Sequence, residues 1–232
     1  MNLFYTQPKN CKKDTLVLKD QEAKHAVSVL RYREGDEILV TDGVGHRFEG
    51  VIQSTRKKEV LVDVKESGFE EPSARDVTLA LGVIKKRDRL EFAVEKAVEL
   101  GANRIALFRG DHTEKGKVRM DRVEATVMSA MKQSLRVWLP TVELFESMDE
   151  LLEKRSSSLF VIADQKSTNE KLNLSDDDKE VVLLVGPEGG FSKREEKFWE
   201  LGSDLNTKTV LLGEKRLRAE TAAVVMVLKG LY

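Results

Sequence analysis

Hydrophobic and polar positions change rhythm once along the chain. Over the first 70 residues, short apolar runs are separated by turn residues. Strands are predicted at residues 15–18, 37–41, 47–53 and 60–64, with a tight turn at Asp42-Gly43 and Val44-Gly45. One helical patch, residues 21–30, interrupts them. Short strands at this spacing predict a small barrel. Residues 67–75, which include Gly68, Pro72 and Ser73, read as a linker. Beyond it the strands become near-continuous apolar runs, at residues 77–84 (VTLALGVI), 105–108, 159–163, 181–185 and 210–212. Runs of that kind belong to strands covered on both faces, and they alternate with helical periodicity. Asp88 with Glu91 three residues on predicts a capping box, with Leu90, Val94 and Ala97 on one helix face and Gly101 as the stop. A longer helix is predicted over residues 118–135 and an apolar one over 222–231. The second part is therefore an α/β domain with a mostly parallel sheet.

Charge adds a polarity to this picture. The 232 residues carry a net charge of −1, yet residues 83–136 hold 13 Lys and Arg against 8 Asp and Glu. Residues 141–182 hold 5 against 11. Such segregation suits a molecule that docks one face on a polyanion. The single cysteine, Cys11, excludes an intrachain disulfide, and His25, His46 and His112 lack metal-ligand spacing, so no metal is expected. Neither a signal-peptide pattern nor an apolar run of 18 residues occurs, so a cytoplasmic location without membrane attachment is expected.

Two strand-to-helix loops carry candidate chemistry. After residues 181–185 comes Gly186-Pro187-Glu188-Gly189-Gly190-Phe191-Ser192, with Ser192 and Glu195 spaced as a capping box. Ligands of open α/β sheets bind beyond the carboxyl ends of strands, and glycines there admit close main-chain approach. No GxxxxGK[ST] or GxGxxG pattern is present, which removes support for nucleotide hydrolysis and ordinary dinucleotide binding. The second loop, Leu212-Gly213-Glu214-Lys215-Arg216-Leu217-Arg218, leads into a helix. A helix start favours Glu220 but not three cations, so this cluster points to an anionic partner. Phe191, Trp138 and Trp199 read as packing residues.

The sequences GPEGGFSKRE (186–195) and LGEKRLRAETAA (212–223), in this order, resemble the signature of the ribosomal RNA small subunit methyltransferases of E type. So do His25 through Val29-Leu30-Arg31, Lys96 with Glu99-Leu100-Gly101, and Gln133-Ser134 with Arg136. The resemblance implies a SPOUT α/β fold with a trefoil knot over residues 75–232, and a PUA-like RNA-binding β-barrel over residues 1–70. It implies S-adenosylmethionine (SAM) as cofactor, held by Ala163, Gly186, Glu188, Gly189, Gly190, Leu212, Gly213, Leu217 and Thr221. It implies methylation of uridine N3 (m3U) in 16S rRNA of the small ribosomal subunit by a homodimer, with Arg218 and Glu220 as candidate catalytic residues. His25, Arg31, Gln133, Arg136, Lys215 and Arg216 are the implied RNA contacts. Where the family usually has Arg-Ile this chain has Lys215-Arg216, and Lys132 stands where an acidic residue often precedes the glutamine. Two other functions remain open on the sequence: a non-catalytic RNA-binding assembly protein, and a SPOUT methyltransferase with another RNA target.

Overall fold

The computed structural model describes residues 2–56, 58–114, 116–200 and 204–232. The chain divides into two compact units: Met1–Pro72 with Met131–Leu139, and Ser73–Ala130 with Pro140–Tyr232.

The first unit is built on β1 (Leu3–Tyr5), β2 (Thr15–Lys19), α1 (Asp20–Lys24) with a π-helical turn at His25–Val29, β3 (Glu37–Thr41), β4 (His46–Arg56) and β5 (Glu59–Phe69). The sheet order is β1-β3-β4-β5-β2, with β1 parallel to β3 and the other pairs antiparallel. Thr6 draws the two edges together. Its N–H donates to Thr41 O at 2.9 Å and its hydroxyl to Val17 O at 2.6 Å. Alternation of side chains with period two puts Leu16, Leu18, Val60 and Val62 inward, where they pack with Phe4 and Ile38. Register shifts near Gly50 and Ile52 bend the long β4–β5 hairpin. The bent hairpin keeps pairing to Phe69, so the predicted linker begins as strand, not coil. Residues 131–139 complete this unit. Leu139 N–H donates to Gly43 O and Gly45 N–H to Val137 O, and the Trp138 indole donates to Glu70 O at 2.9 Å.

The second unit contains β6 (Asp76–Gly82), α2 (Arg87–Leu100), β7 (Arg104–Phe108), α3 (Met120–Gln133) except its last three residues, which count with the first unit, β8 (Thr141–Phe145), α4 (Met148–Lys154), β9 (Leu159–Ala163), β10 (Glu180–Val185), α5 (Lys193–Glu196), β11 (Thr207–Val210) and α6 (Ala219–Leu231). All six strands are parallel, in the order β11-β9-β10-β6-β7-β8. The central strands β6 and β10 are buried from Val77 to Gly82 and from Val181 to Val185, which explains their unbroken apolar sequence.

Three local expectations change. The Asp88–Glu91 capping box does not form: α2 starts at Arg87, its N-cap is Lys86, and that residue makes no side-chain cap. Asp88 lies inside the first turn, where its charge meets the positive end of the helix dipole, and Glu91 faces Arg87 at 3.5 Å. Strand β11 ends at Val210, leaving Leu211 and Leu212 in the loop, and α6 begins three residues early, at Ala219. The Ser192–Glu195 box is complete in both directions.

Candidate active site

A cavity of about 610 Å³ opens beyond the carboxyl ends of β9 and β10. Three segments of the second unit wall it: residues 163–166 after β9, the loop 185–191 after β10, and residues 211–219 leading into α6. This is where a parallel sheet exposes strand ends to a ligand. Of the residues singled out for cofactor contact, Ala163, Gly186, Glu188, Gly190, Leu212, Gly213 and Leu217 line it. Gly189 and Thr221 do not. A Cβ on Gly189 would point at His112, 2.8 Å from its Cβ and 3.3 Å from its carbonyl oxygen, so this glycine seats its loop against the neighbouring one. Thr221 is exposed on α6, outside the cavity lining.

The glycine-rich loop is pinned from behind. Glu195 is fully buried, and each of its carboxylate oxygens accepts a backbone N–H, from Asp111 at 3.0 Å and from Ser192 at 2.8 Å. A buried carboxylate is tolerated because both oxygens are satisfied. Outside it, Arg194 bridges Asp111 and Asp149, approaching each to 2.8 Å. The Arg194 hydrogen bonds, aided by the Ser192 hydroxyl, hold the Asp111 carboxyl down at about 2.

Electrostatics single out the cavity's own wall. Lys215, Arg216 and Arg218 all line it and are exposed, and among the described residues none of the three side chains has an ion-pair or hydrogen-bond partner. Arg218 is the N-cap residue of α6 (φ −72°, ψ 154°) and offers no side-chain cap. Three uncompensated cations at a helix N-terminus run against the helix dipole unless an anion joins them.

Glu220 has a different place. It is 8% exposed, does not line the cavity, and lies with Oε1 3.5 Å from Arg89 Nε. Arg89 is a residue that the sequence alone does not single out. It lines the cavity and also donates to Glu188 Oε1 at 3.3 Å, while Glu188 Oε2 accepts the Lys85 N–H at 3.2 Å. Nothing in one sequence marks Arg89 among its neighbours Lys85, Lys86 and Arg87, since its partners are remote in the chain.

The remaining predicted residues belong to the first unit. His25 is exposed in the π turn, edge-on to Phe4. Arg31 is exposed and left-handed (φ 60°), beside a second depression lined also by Val27, Tyr32, Arg33, Glu34 and Thr55. Gln133 is exposed, whereas Arg136 is half-buried and desolvation lowers its pKa. Lys132 pairs with Glu22 at 2.5 Å, which accounts for a cation at that position. Among the described residues no group of three His, Cys, Asp or Glu side chains could hold a metal ion, and no helix is long and apolar enough to cross a membrane.

Known proteins share this architecture. The model of the RNA methyltransferase domain matches residues 70–229, and that of the RNA methyltransferase PUA domain matches residues 18–65. A ribosomal RNA small subunit methyltransferase E from Rickettsia conorii is 30% identical over 208 residues, covering 88% of this chain and 84% of its own. The crystal structure of a probable rRNA-methyltransferase from Porphyromonas gingivalis covers 99% of both chains with a TM-score of 0.82 at 30% identity. That of a ribosomal RNA small subunit methyltransferase E from Neisseria gonorrhoeae, bound to S-adenosyl methionine, covers 98% of this chain and 95% of its own, with a TM-score of 0.84 at 28% identity. With a family model spanning most of the chain and relatives of this similarity, the chain belongs to the ribosomal RNA small subunit methyltransferase E family, an RNA methyltransferase domain of SPOUT type joined to an N-terminal PUA domain.

Proposed function

We propose that this protein methylates N3 of one uridine in 16S rRNA of the small ribosomal subunit, using SAM. The observation that carries this reading is the wall of unpaired cations, Lys215, Arg216 and Arg218, on a cavity formed by glycine-rich loops. The residues present suit SAM. The cavity falls within the range of roughly 300–1,000 Å³ typical of small-molecule sites. Gly190 and Gly213 have open space where a Cβ would stand, so main-chain groups are accessible, and Leu212, Leu217 and Ala222 offer apolar surface. Ala163, Gly186, Glu188, Gly190, Leu212, Gly213 and Leu217 would hold it. When bound, SAM supplies an electrophilic methyl group on its sulfonium.

The chain's own work is to orient the base and balance its charge. Holding a uracil in line for transfer can contribute roughly 7–11 kcal/mol in favourable cases. The N3 proton passes to solvent, leaving a uracil with negative charge on O2 and O4, for which Arg218 offers an unengaged guanidinium. The N3–methyl bond then forms as the sulfonium–methyl bond breaks, leaving S-adenosylhomocysteine. Lys215 and Arg216 take neighbouring phosphates. Glu220, buried beside Arg89 and off the cavity, is withdrawn from the role of general base. On the PUA unit, Arg31, His25 and Gln133 present exposed polar groups to RNA. A paired uridine must leave its partner to reach such a pocket. A homodimer accords with the exposed Phe92 of α2 and Leu228 and Tyr232 at the end of α6, two helices that pack together.

The test is transfer of labelled methyl from SAM to small subunits prepared from cells lacking this protein. One label per subunit on uridine N3 is expected. RNA binding without transfer would establish the non-catalytic assembly protein instead, and label on another base or a ribose would establish a different target.

A further inference from the structure

We propose that Arg89 is the positioning residue of this site: it ties the glycine-rich loop to the start of α6 and thereby sets the shape of the SAM cavity. The inference rests on the methyltransferase reading above. Arg89 is the third residue of α2, in a first turn where the helix dipole disfavours a cation. Its position is explained by two carboxylates from distant segments. Arg89 Nη1 donates to Glu188 Oε1 at 3.3 Å, and Arg89 Nε stands 3.5 Å from Glu220 Oε1. Glu188 belongs to the loop after β10 and Glu220 to the first turn of α6, two residues beyond Arg218. One guanidinium thus joins the glycine-rich wall of the cavity to the helix turn that directly follows residues 211–219.

Without it, the two segments would present two carboxylates to each other with no cation between them. Glu220 could not simply turn to water. It is 8% exposed, and its Oε2 is buried without a hydrogen-bond partner. A buried anion stripped of its counter-charge is strongly disfavoured, so the α6 start would move to solvate Glu220. That movement would carry Arg218, the residue at the helix N-cap, away from its place on the cavity wall. The Arg89 and Glu220 side chains are 25% and 11% exposed, so that pairing is less screened by solvent than the one with Glu188, whose side chain is 37% exposed. The planar fork matters as well as the charge, since one side chain must reach two acceptors in different directions.

Four single variants, one double variant and three readouts test this. Arg89→Ala, Arg89→Lys, Glu188→Gln and Glu220→Gln are compared for hydrogen exchange of the ligand-free protein, SAM affinity by calorimetry, and single-turnover transfer at saturating SAM. Arg89→Ala should accelerate exchange in residues 186–190 and 211–220 at least tenfold while the β6–β7 amides stay protected. SAM affinity should fall ten- to a hundredfold, and Arg89→Lys should recover only part of it. Combining Arg89→Ala with Glu220→Gln should cost little beyond Arg89→Ala alone, because both break one connection. Unchanged exchange in a folded Arg89→Ala protein overturns the proposal. So does a loss of SAM affinity in Arg89→Ala that neither glutamine variant shares, which would make Arg89 a direct ligand-binding group. The exchange readout needs no ligand, so it stands even if SAM is not the cofactor. Failure of the wild-type protein to bind SAM would refute the methyltransferase reading alone.

Discussion

Gly82→Ala probes the cavity through the backbone of its glycine-rich loop. Gly82 is the last residue of β6, and a Cβ placed there would lie 2.4 Å from Pro187 N, 2.5 Å from Pro187 Cδ and 2.9 Å from the Gly186 carbonyl carbon. Ordinary contact begins near 3.4 Å, so the glycine-rich loop must retreat by about 1 Å. The obstacle is backbone and a proline ring, not the end of a flexible side chain. The loop behind it is also fixed, by Glu195 accepting N–H groups from Ser192 and Asp111. Overpacking of this kind costs about 1–3 kcal/mol. At about 2–4 °C per kcal/mol for a chain of this size, Tm should fall by roughly 2–12 °C. A misplacement of about 1 Å at a site that positions its reactants costs on the order of a hundredfold in rate. A thermal melt measures the first effect and single-turnover transfer at saturating SAM the second, with calorimetry giving SAM affinity on the same protein. A folded Gly82→Ala protein with wild-type Tm and wild-type SAM affinity would show that the loop after β10 has no fixed position, and the account of the cavity would fall.

Other consequences follow from particular side chains. Arg218→Ala should lower single-turnover methylation about a hundredfold, about 2.7 kcal/mol at 1.36 per factor of ten, with SAM and RNA affinities changed only a few-fold; loss of SAM affinity with an intact rate would make it a cofactor clamp. Gly189→Val should destabilise the fold through His112 before it affects the ligand, so a stable variant with blocked SAM binding would contradict the geometry. Asp111 has its carboxyl held from 3.8 down to about 2 by Arg194 and Ser192, so what it contributes to loop order is present above about pH 3.8 and disappears as pH falls through about 2. An NMR titration of Asp111 should show that low midpoint, and Arg194→Ala should return it towards 3.8; a midpoint near 3.8 in the wild-type protein would refute the pairing. Arg31→Ala should weaken small-subunit binding and reduce the salt slope by about 0.7–0.9 for each phosphate it ceases to neutralise, leaving SAM binding alone; unchanged binding would remove the PUA unit from the RNA platform.

Features set by neighbouring residues were legible in the sequence. The apolar run of β10, the turn into Gly186 and the Ser192–Glu195 box each depend on residues within a few positions of one another. The D-x-x-E pattern at Asp88 does not by itself specify a cap, because the same spacing also suits a carboxylate inside a first turn, as Asp88 is here. Gly189 and Gly190 are adjacent and alike in sequence, yet one faces His112 and the other open space, a distinction no spacing encodes. Arg89 was invisible because its meaning comes from Glu188, 99 residues away, and Glu220 beyond that. Lys132 took sense only beside Glu22, 110 residues away. Strand β1, three residues long, is too short to carry a period and forms only because β3 supplies its partner.

The central claim, methylation of one uridine of 16S rRNA at N3, is tested most directly in the RNA itself. Small-subunit RNA from cells lacking this protein, from cells with it restored, and from cells carrying Arg218→Ala is digested with nuclease and its fragments are mapped by mass. One uridine should lack a base methyl in the deletion strain, regain it with the wild-type chain, and remain bare or nearly so with Arg218→Ala. An identical methylation map in all three strains would contradict the account.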